Sequence, residues 1–231
     1  MKVRFMDSIL YNTANDAFHD LYWRIVRNGQ DFAGTKALFN VGFYINKPHY
    51  NAIHDSKVKR NWSQEYAEAE WQWYLSGDRR ISKLGDIYGK VPQIWFEMAN
   101  GKGEVNSNYG WQWKRNDQLK KVINMLNADP ETRKATISIY DGKEINEYFH
   151  DTPCTYAVQF TIVDKKLNMA VMMRSNDLWY GFCNDQYQFS NLQMYVAYET
   201  GCELGTYYHF AHNMHLYNDK LPKQKIRNFH I

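Results

Sequence analysis
The chain has 231 residues with 28 basic against 25 acidic side chains, a formal charge of only +3, so neither a nucleic-acid nor a membrane surface has an electrostatic case. Aromatic residues make up 16% of it, which suits a heavy core and equally a pocket that stacks a flat ring. Cys154, Cys183 and Cys202 lack paired spacing, which argues against a disulfide scaffold and for a reducing, cytoplasmic setting. No apolar run approaches the roughly 18 residues of a membrane span, and MKVRFMDSILYN lacks the apolar stretch of a secretion signal.

In chain order, residues 12–26 read as an amphipathic helix ending near Asn28 and Gly29. Residues 37–45 then place Phe39, Val41, Phe43 and Ile45 on one side of a half-buried strand that Pro48 ends. Asn61 and Ser63 are plausible caps for a helix through Leu75, stopped by Gly77. Its apolar face carries Tyr66, Ala69, Trp73 and Tyr74, and Glu70 falls on that same face. Residues 118–126 read as another helix, followed by the turn NADPET and a strand through Ile137 and Ile139. Residues 155–163 and 167–173 flank Asp164, Lys165 and Lys166 as a hairpin. A helix over 186–200, closed by Gly201, and a strand over 205–217 complete the order. Strands and helices mix without regular alternation, so the pattern predicts a single α+β domain, 1–231, and not a doubly wound sheet.

Four features exceed a packing role. Glu70 on an apolar helical face reads as a snorkelling edge residue or as a functional buried carboxylate. Cys154, in Pro153-Cys154-Thr155 before an apolar strand, reads as an inert core thiol or as a nucleophile. His209, His212 and His215 suggest a metal site by their spacing, but on a strand His212 points away from the other two and no cysteine pair is near. No metal is expected. The segment MMRSNDLWYGFCND ends a strand on Arg174 and Ser175, a forked donor and a hydroxyl suited to a phosphate, with a surface ion pair to Asp177 as the alternative.

In order and spacing, the segments EWQWYLSGD, IWFEMANGKGEVNSNYG, NADPETRK, TPCTYAVQF, MMRSNDLWYGFCND and HNMHLYND resemble the thymidylate synthase and deoxycytidylate hydroxymethylase superfamily. The resemblance implies a thymidylate-synthase-like fold, a large mixed sheet flanked by helices, with sheets packed together in a homodimer. It implies Cys154 as the nucleophile, Glu70 as the carboxylate that organises water and proton transfer, and Tyr109 and Trp95 as pocket walls. Trp95 and Glu70 would lie against the co-substrate methylenetetrahydrofolate. Arg174 and Ser175 would hold a nucleotide 5′-phosphate, helped by Arg133 and Lys134 from the neighbouring subunit. His215 and Tyr217 would bind the sugar hydroxyl, and Gln159 and Asp177 match further pocket positions. Lys134 stands where an arginine is usual, and the loop GQDFAGTK offers Lys36 as the nearest candidate for the family's first phosphate-binding arginine.

Elementary chemistry agrees with these roles. A pyrimidine C5 is a poor nucleophile until something adds to C6, and a thiolate both adds and leaves well; a nearby guanidinium would favour its ionised form. Once a one-carbon unit is attached to C5, water yields a hydroxymethyl group and hydride a methyl group. Thymidylate synthases generally carry Asn four residues after the glycine of this motif, where the amide pairs with uracil O4 and N3-H. Here four residues after Gly181 stands Asp185, whose carboxylate accepts from the N4 amino group of cytosine and opposes the O4 of uracil unless protonated. The RSND pattern, and Thr155 where thymidylate synthases have His, resemble the phage deoxycytidylate hydroxymethylases. The expectation is a dCMP 5-hydroxymethyltransferase. Open beside it stand a reductive methylating enzyme, on dUMP or dCMP, and a nucleotide- or RNA-binding relative that kept the pocket without turnover. The short C-terminal end favours water capture, although compact thymidylate-synthase-like proteins share it.

Overall fold
A computed structural model of the chain describes residues 8–146, 148 and 151–222. The readings made on MKVRFMD and on the C-terminal end beyond residue 222 lie outside the described residues.

The first half is mostly helical. After β1 (Ile9–Tyr11), Thr13 caps α1 (Ala14–Asn28) through a reciprocal bond pair with Asp16, two residues later than the spacing predicts. Then come β2 (Gln30–Phe32), β3 (Thr35–Ile45), and the small pair β4 (His54–Asp55) and β5 (Arg60–Asn61). α2 (Gln64–Ser76) is capped by Ser63, whose hydroxyl accepts from the Tyr66 N–H, and closed by left-handed Gly77, as read from the sequence. Three short helices without a sequence forecast follow, α3 (Ile81–Tyr88), α4 (Gln93–Met98) and α5 (Tyr109–Lys114), and then α6 (Gln118–Ala128).

The second half supplies β6 (Thr136–Ser138), β7 (Thr155–Val163), β8 (Lys166–Met173), β9 (Asn176–Asp177), α7 (Gly181–Glu199) and β10 (Glu203–Tyr217). The β7–β8 hairpin turns on Asp164 and Lys165, both at positive φ, the geometry a tight two-residue turn requires. α7 starts five residues before the predicted position. Its signal is Asp177, whose carboxylate accepts the N–H groups of Trp179 (2.9 Å) and Tyr180 (3.0 Å) one turn upstream.

Among the described residues, eight strands form one mixed sheet in the order β1-β3-β10-β8-β7-β6, with β2 also on β3 and β9 also on β10, while β4 and β5 pair apart from it. β10 runs antiparallel to β3 and parallel to β8, so this is the expected large mixed sheet of an α+β fold. Val41, Phe43, Ile45, Val158, Phe160, Val171, Met173, Tyr207 and Ala211 alternate onto its core face, against α1 and α7. Phe39 departs from the expected alternation. Asn40 takes a left-handed φ of 55°, the run is interrupted there, and Phe39 lies exposed with its ring edge on Phe32 and His212. On the opposite face the Tyr44 and Tyr208 rings pair at 4.7 Å, and a Cβ on Gly42 would strike the Tyr208 hydroxyl. No described helix is long and apolar enough to cross a membrane.

Candidate active site
The antiparallel β7–β8 ladder brings the two ends that matter together. Thr155 pairs with Met173, so Cys154, just before β7, lies beside Arg174, just after β8, and the Arg174 N–H donates to the Cys154 carbonyl at 2.8 Å. The Arg174 guanidinium donates to the carbonyls of Thr152 (2.7 Å) and Pro153 (3.1 Å) and lies 3.8 Å from Cys154 Sγ. It favours the thiolate, as the sequence suggested. The net effect is nevertheless opposite to that expectation: burial, seconded by Asp185, Asp151 and Asp177, pushes the Cys154 thiol up to about 11. Asp151 is buried three residues away, tied to the backbone and hydroxyl of Ser107.

Glu70 faces inward from α2 and is 4% exposed, which removes the snorkelling alternative. The Tyr66 hydroxyl donates to Oε1 at 2.9 Å and the Gln188 amide to Oε2 at 3.0 Å, while the Trp95 indole N–H donates to Tyr66 at 2.8 Å. These donors favour the carboxylate, burial opposes it, and burial prevails: Glu70 is raised to about 7, poised to exchange a proton at neutral pH. Asp185 projects from the first turns of α7. Burial and the charge of Glu70 raise it to about 8, partly offset by the Asn176 amide, which donates to Oδ2 at 2.7 Å. Gly181 makes this approach possible, because a Cβ there would lie 2.9 Å from the Asn176 amide nitrogen and 3.3 Å from Asp185 Oδ2.

Tyr109 closes the pocket from α5. Gly110 lets that helix press onto α2, where a Cβ would overlap the Tyr74 carbonyl, and the Tyr109 hydroxyl accepts from the Thr155 N–H at 3.2 Å. Tyr109 interacts electrostatically with both Asp185 and Cys154, and Asp185 with Glu70, so thiol, two carboxyls and phenol lie within electrostatic reach of one another. Trp95 is buried edge-on against Trp73, and its neighbours Ile94 and Phe96 stand 48% and 57% exposed.

Other sequence candidates are placed differently. Ser175 is half-buried beside Arg174, and the Asp177 carboxylate caps α7 while facing His215. Arg174 makes its bonds to carbonyl groups rather than to Asp177, so the ion-pair alternative is not what the structure forms. His215 bonds Asn213 at 2.9 Å and lies edge-on to Tyr217, whose hydroxyl pKa is raised by burial, seconded by the charges of Asp177 and Cys154. Gln159 is not brought to the thiol: it alternates with core residues Val158 and Phe160 and bonds Thr136 and the Phe160 carbonyl. Arg133 and Lys134 stand exposed along a depression of about 600 Å³ shared with Asp129, Glu131 and Thr132. Lys36 reaches Asp31 (3.4 Å) and the Gly29 carbonyl. Sequence reasoning missed Gln188, Asn176 and the pairing of Tyr66 with Glu70; only the last had a signal, the i,i+4 spacing on α2.

A family profile described as thymidylate synthase matches residues 16–227. The deoxycytidylate 5-hydroxymethyltransferases of Enterobacteria phages T4, T2 and T6 are each 35% identical over 166 residues, covering 67% of this chain and 62% of theirs. The chain therefore spans less than two thirds of the length of these curated relatives. A solved structure, thermostable thymidylate synthase A from Bacillus subtilis, superposes with a TM-score of 0.73 at 21% identity, covering 89% of this chain and 80% of that one.

Proposed function
The chain belongs to the thymidylate synthase family, and from that premise we propose that it converts dCMP to 5-hydroxymethyl-dCMP, with methylenetetrahydrofolate as one-carbon donor. The observation that carries the choice of base is Asp185, a half-buried carboxyl group that interacts electrostatically with Cys154, Glu70 and Tyr109. Ionised, the group accepts from the cytosine amino group, and against uracil O4 the mismatch of two acceptors costs about 1–3 kcal/mol; protonated, it can also donate, so selectivity then depends on which oxygen carries the proton. The phage relatives named as deoxycytidylate 5-hydroxymethyltransferases support the same reading.

Cys154 Sγ adds to C6 of the ring, which makes C5 nucleophilic, and later leaves as C5–C6 unsaturation returns. Burial disfavours its ionised form, and the Arg174 guanidinium, 3.8 Å from Sγ, is the positive charge that favours the attacking thiolate. Glu70 holds and returns protons at neutral pH and positions the water that attacks the exocyclic carbon. Methylenetetrahydrofolate, when bound, supplies a carbon at the oxidation level of formaldehyde. The residues present fit a flat co-substrate: Trp95 beside the exposed apolar pair Ile94 and Phe96, with Tyr66 linking the indole to Glu70. Arg174 and Ser175 take the 5′-phosphate, and His215 and Tyr217 the sugar.

The remaining parts of the proposal concern assembly. The whole chain, 1–231, acts as one catalytic domain in the cytoplasm, where free Cys154, Cys183 and Cys202 suit a reducing medium. Two copies pack through the sheet face of Tyr44 and Tyr208, and Arg133 and Lys134 of each reach the other's phosphate site. Incubation of dCMP or dUMP, tritiated at C5, with methylenetetrahydrofolate tests the reaction. Release from dCMP with a product heavier by one CH2O unit and no dihydrofolate is expected; dihydrofolate formation identifies reductive methylation instead.

A further inference from the structure
Behind Asp185 lies a buried row of polar groups that the reaction does not itself use. Asn176 is 2% exposed on β9, and His209 is fully buried on β10. Asn176 Oδ1 lies 3.1 Å from His209 Nε2, and His209 Nδ1 lies 3.0 Å from the Tyr207 hydroxyl. Phe43 stacks on the imidazole at 5.3 Å and Phe182 meets it edge-on at 5.3 Å. In this enclosure burial lowers the His209 pKa to about 3, so the ring is neutral and has one donor and one acceptor.

Neutrality leaves two directions for the row. In one, the Tyr207 hydroxyl donates to Nδ1, Nε2–H donates to Asn176 Oδ1, and the Asn176 amide donates to Asp185 Oδ2. In the other, every bond reverses: Asp185 carries a proton on Oδ2, Asn176 turns over, and Nδ1–H donates to Tyr207. The reversed row then strands the Tyr207 hydroxyl proton, because Tyr207 is fully buried and His209 is the one partner of that hydroxyl among the described residues. A stranded buried donor costs about 1–3 kcal/mol, so the first direction prevails.

We propose that Tyr207, His209 and Asn176 form a one-way hydrogen-bond row that keeps Asp185 Oδ2 a permanent acceptor, so that Asp185 meets a base with a single donor–acceptor order. The inference rests on the reading of Asp185 as the base-recognising residue. A carboxylic acid free to carry its proton on either oxygen presents donor and acceptor in both orders, and pairs with the N3 acceptor and N4 donor of cytosine or with the reversed edge of uracil. With Oδ2 fixed, any proton sits on Oδ1 and only one order survives, the order of cytosine when Oδ2 meets N4 and Oδ1 meets N3. The row thus secures selectivity where the carboxyl is protonated, while the ionised carboxylate is selective unaided. The groups facing Asp185 are Glu70 and Tyr74 from α2, Tyr109 from α5, Cys154, Asp177 and Asn176 from β9, Cys183 from its own helix, and Tyr207 from β10. Burial, seconded by the charges of Glu70 and Asp177, keeps the acid form present at neutral pH.

Two measurements test this. The ¹⁵N imidazole spectrum of ligand-free protein should report His209 as the Nε2–H tautomer, unchanged from pH 5 to 9; an Nδ1–H tautomer or an imidazolium overturns the row without reference to any substrate. Second, in Tyr207→Phe the preference for binding dCMP over dUMP should fall about tenfold at pH 6 and match the unaltered protein at pH 9. A merely structural role for Tyr207 gives no such pH signature, and an unchanged preference at pH 6 overturns the selectivity role. If the unaltered protein binds neither nucleotide, the reading of Asp185 falls and takes that role with it, while the imidazole spectrum still judges the row.

Discussion

The ends of the site proposed to meet the base and the phosphate are built on opposite plans. At the end proposed for the base, three side chains are each held by at least one buried partner: Glu70 by Gln188, with half-buried Tyr66, Asp185 by Asn176, and Tyr109 by the Thr155 backbone. At the end proposed for the phosphate, Arg133, Lys134 and Arg174 are exposed, Arg174 donates to backbone carbonyls, and half-buried Lys36 on β3 pairs with Asp31. The difference teaches where discrimination can reside. A rigid, desolvated acceptor rejects a wrong base by several-fold to a hundredfold, whereas exposed cations attract any phosphate and gain little from exact placement.

Substitutions that strike the base end should therefore have the largest effects. Cys154→Ala should lower C5 tritium release from dCMP on the order of 10⁴-fold or more, as loss of a nucleophile does elsewhere. Asp185→Asn should move the ratio of kcat/KM for dCMP over dUMP by about 10–100-fold toward dUMP, measured by competition. It should also change stability. Because the folded pKa of Asp185 is raised to about 8, the folded state keeps a proton that the unfolded state gives up near pH 4, so stability declines as pH rises from about 4 to 8 and is level above that. The substitution should abolish that share of the decline, seen as a Tm difference at pH 8 that vanishes near pH 4.

Changes at the phosphate end should be smaller and fall on KM. Arg174→Gln should raise KM for the nucleotide by about tenfold, and it also tests the thiol. Alkylation of Cys154 by iodoacetamide should accelerate tenfold per pH unit up to about 11, and be slower in the variant at each pH below that. Lys36→Ala should raise KM by no more than about threefold; a loss as large as that of Arg174→Gln would abolish the contrast between the two ends.

Local pattern made much of this legible. α2 could be read because Ser63 and Gly77 mark its ends and Glu70 interrupts an apolar face, and β7–β8 because apolar alternation brackets a two-residue turn. α3, α4 and α5 left no trace since they have 8, 6 and 6 residues, too short for periodicity, and α3 and α4 lack a side-chain cap. Asn176 and His209 each stood in plain view, but they are 33 residues apart and meet only where β9 joins β10 and α7 covers them. Spacing on one strand could reject a metal for His209; it could not supply its partner. The direction of the Cys154 shift was likewise invisible, because it depends on burial and on three carboxyl groups from different elements.

The proposed reaction requires a bond between Cys154 and C6 of cytosine. The most direct measurement is denaturing mass spectrometry of protein incubated with methylenetetrahydrofolate and 5-fluoro-dCMP or 5-fluoro-dUMP, since fluorine at C5 cannot leave as a proton does and arrests the reaction with the sulfur attached. The predicted result is a stable adduct of protein, nucleotide and folate with 5-fluoro-dCMP, mapped to the peptide containing Cys154 and in excess over that with 5-fluoro-dUMP. An adduct on Cys183 or Cys202, no adduct, or an excess with the uracil nucleotide contradicts it.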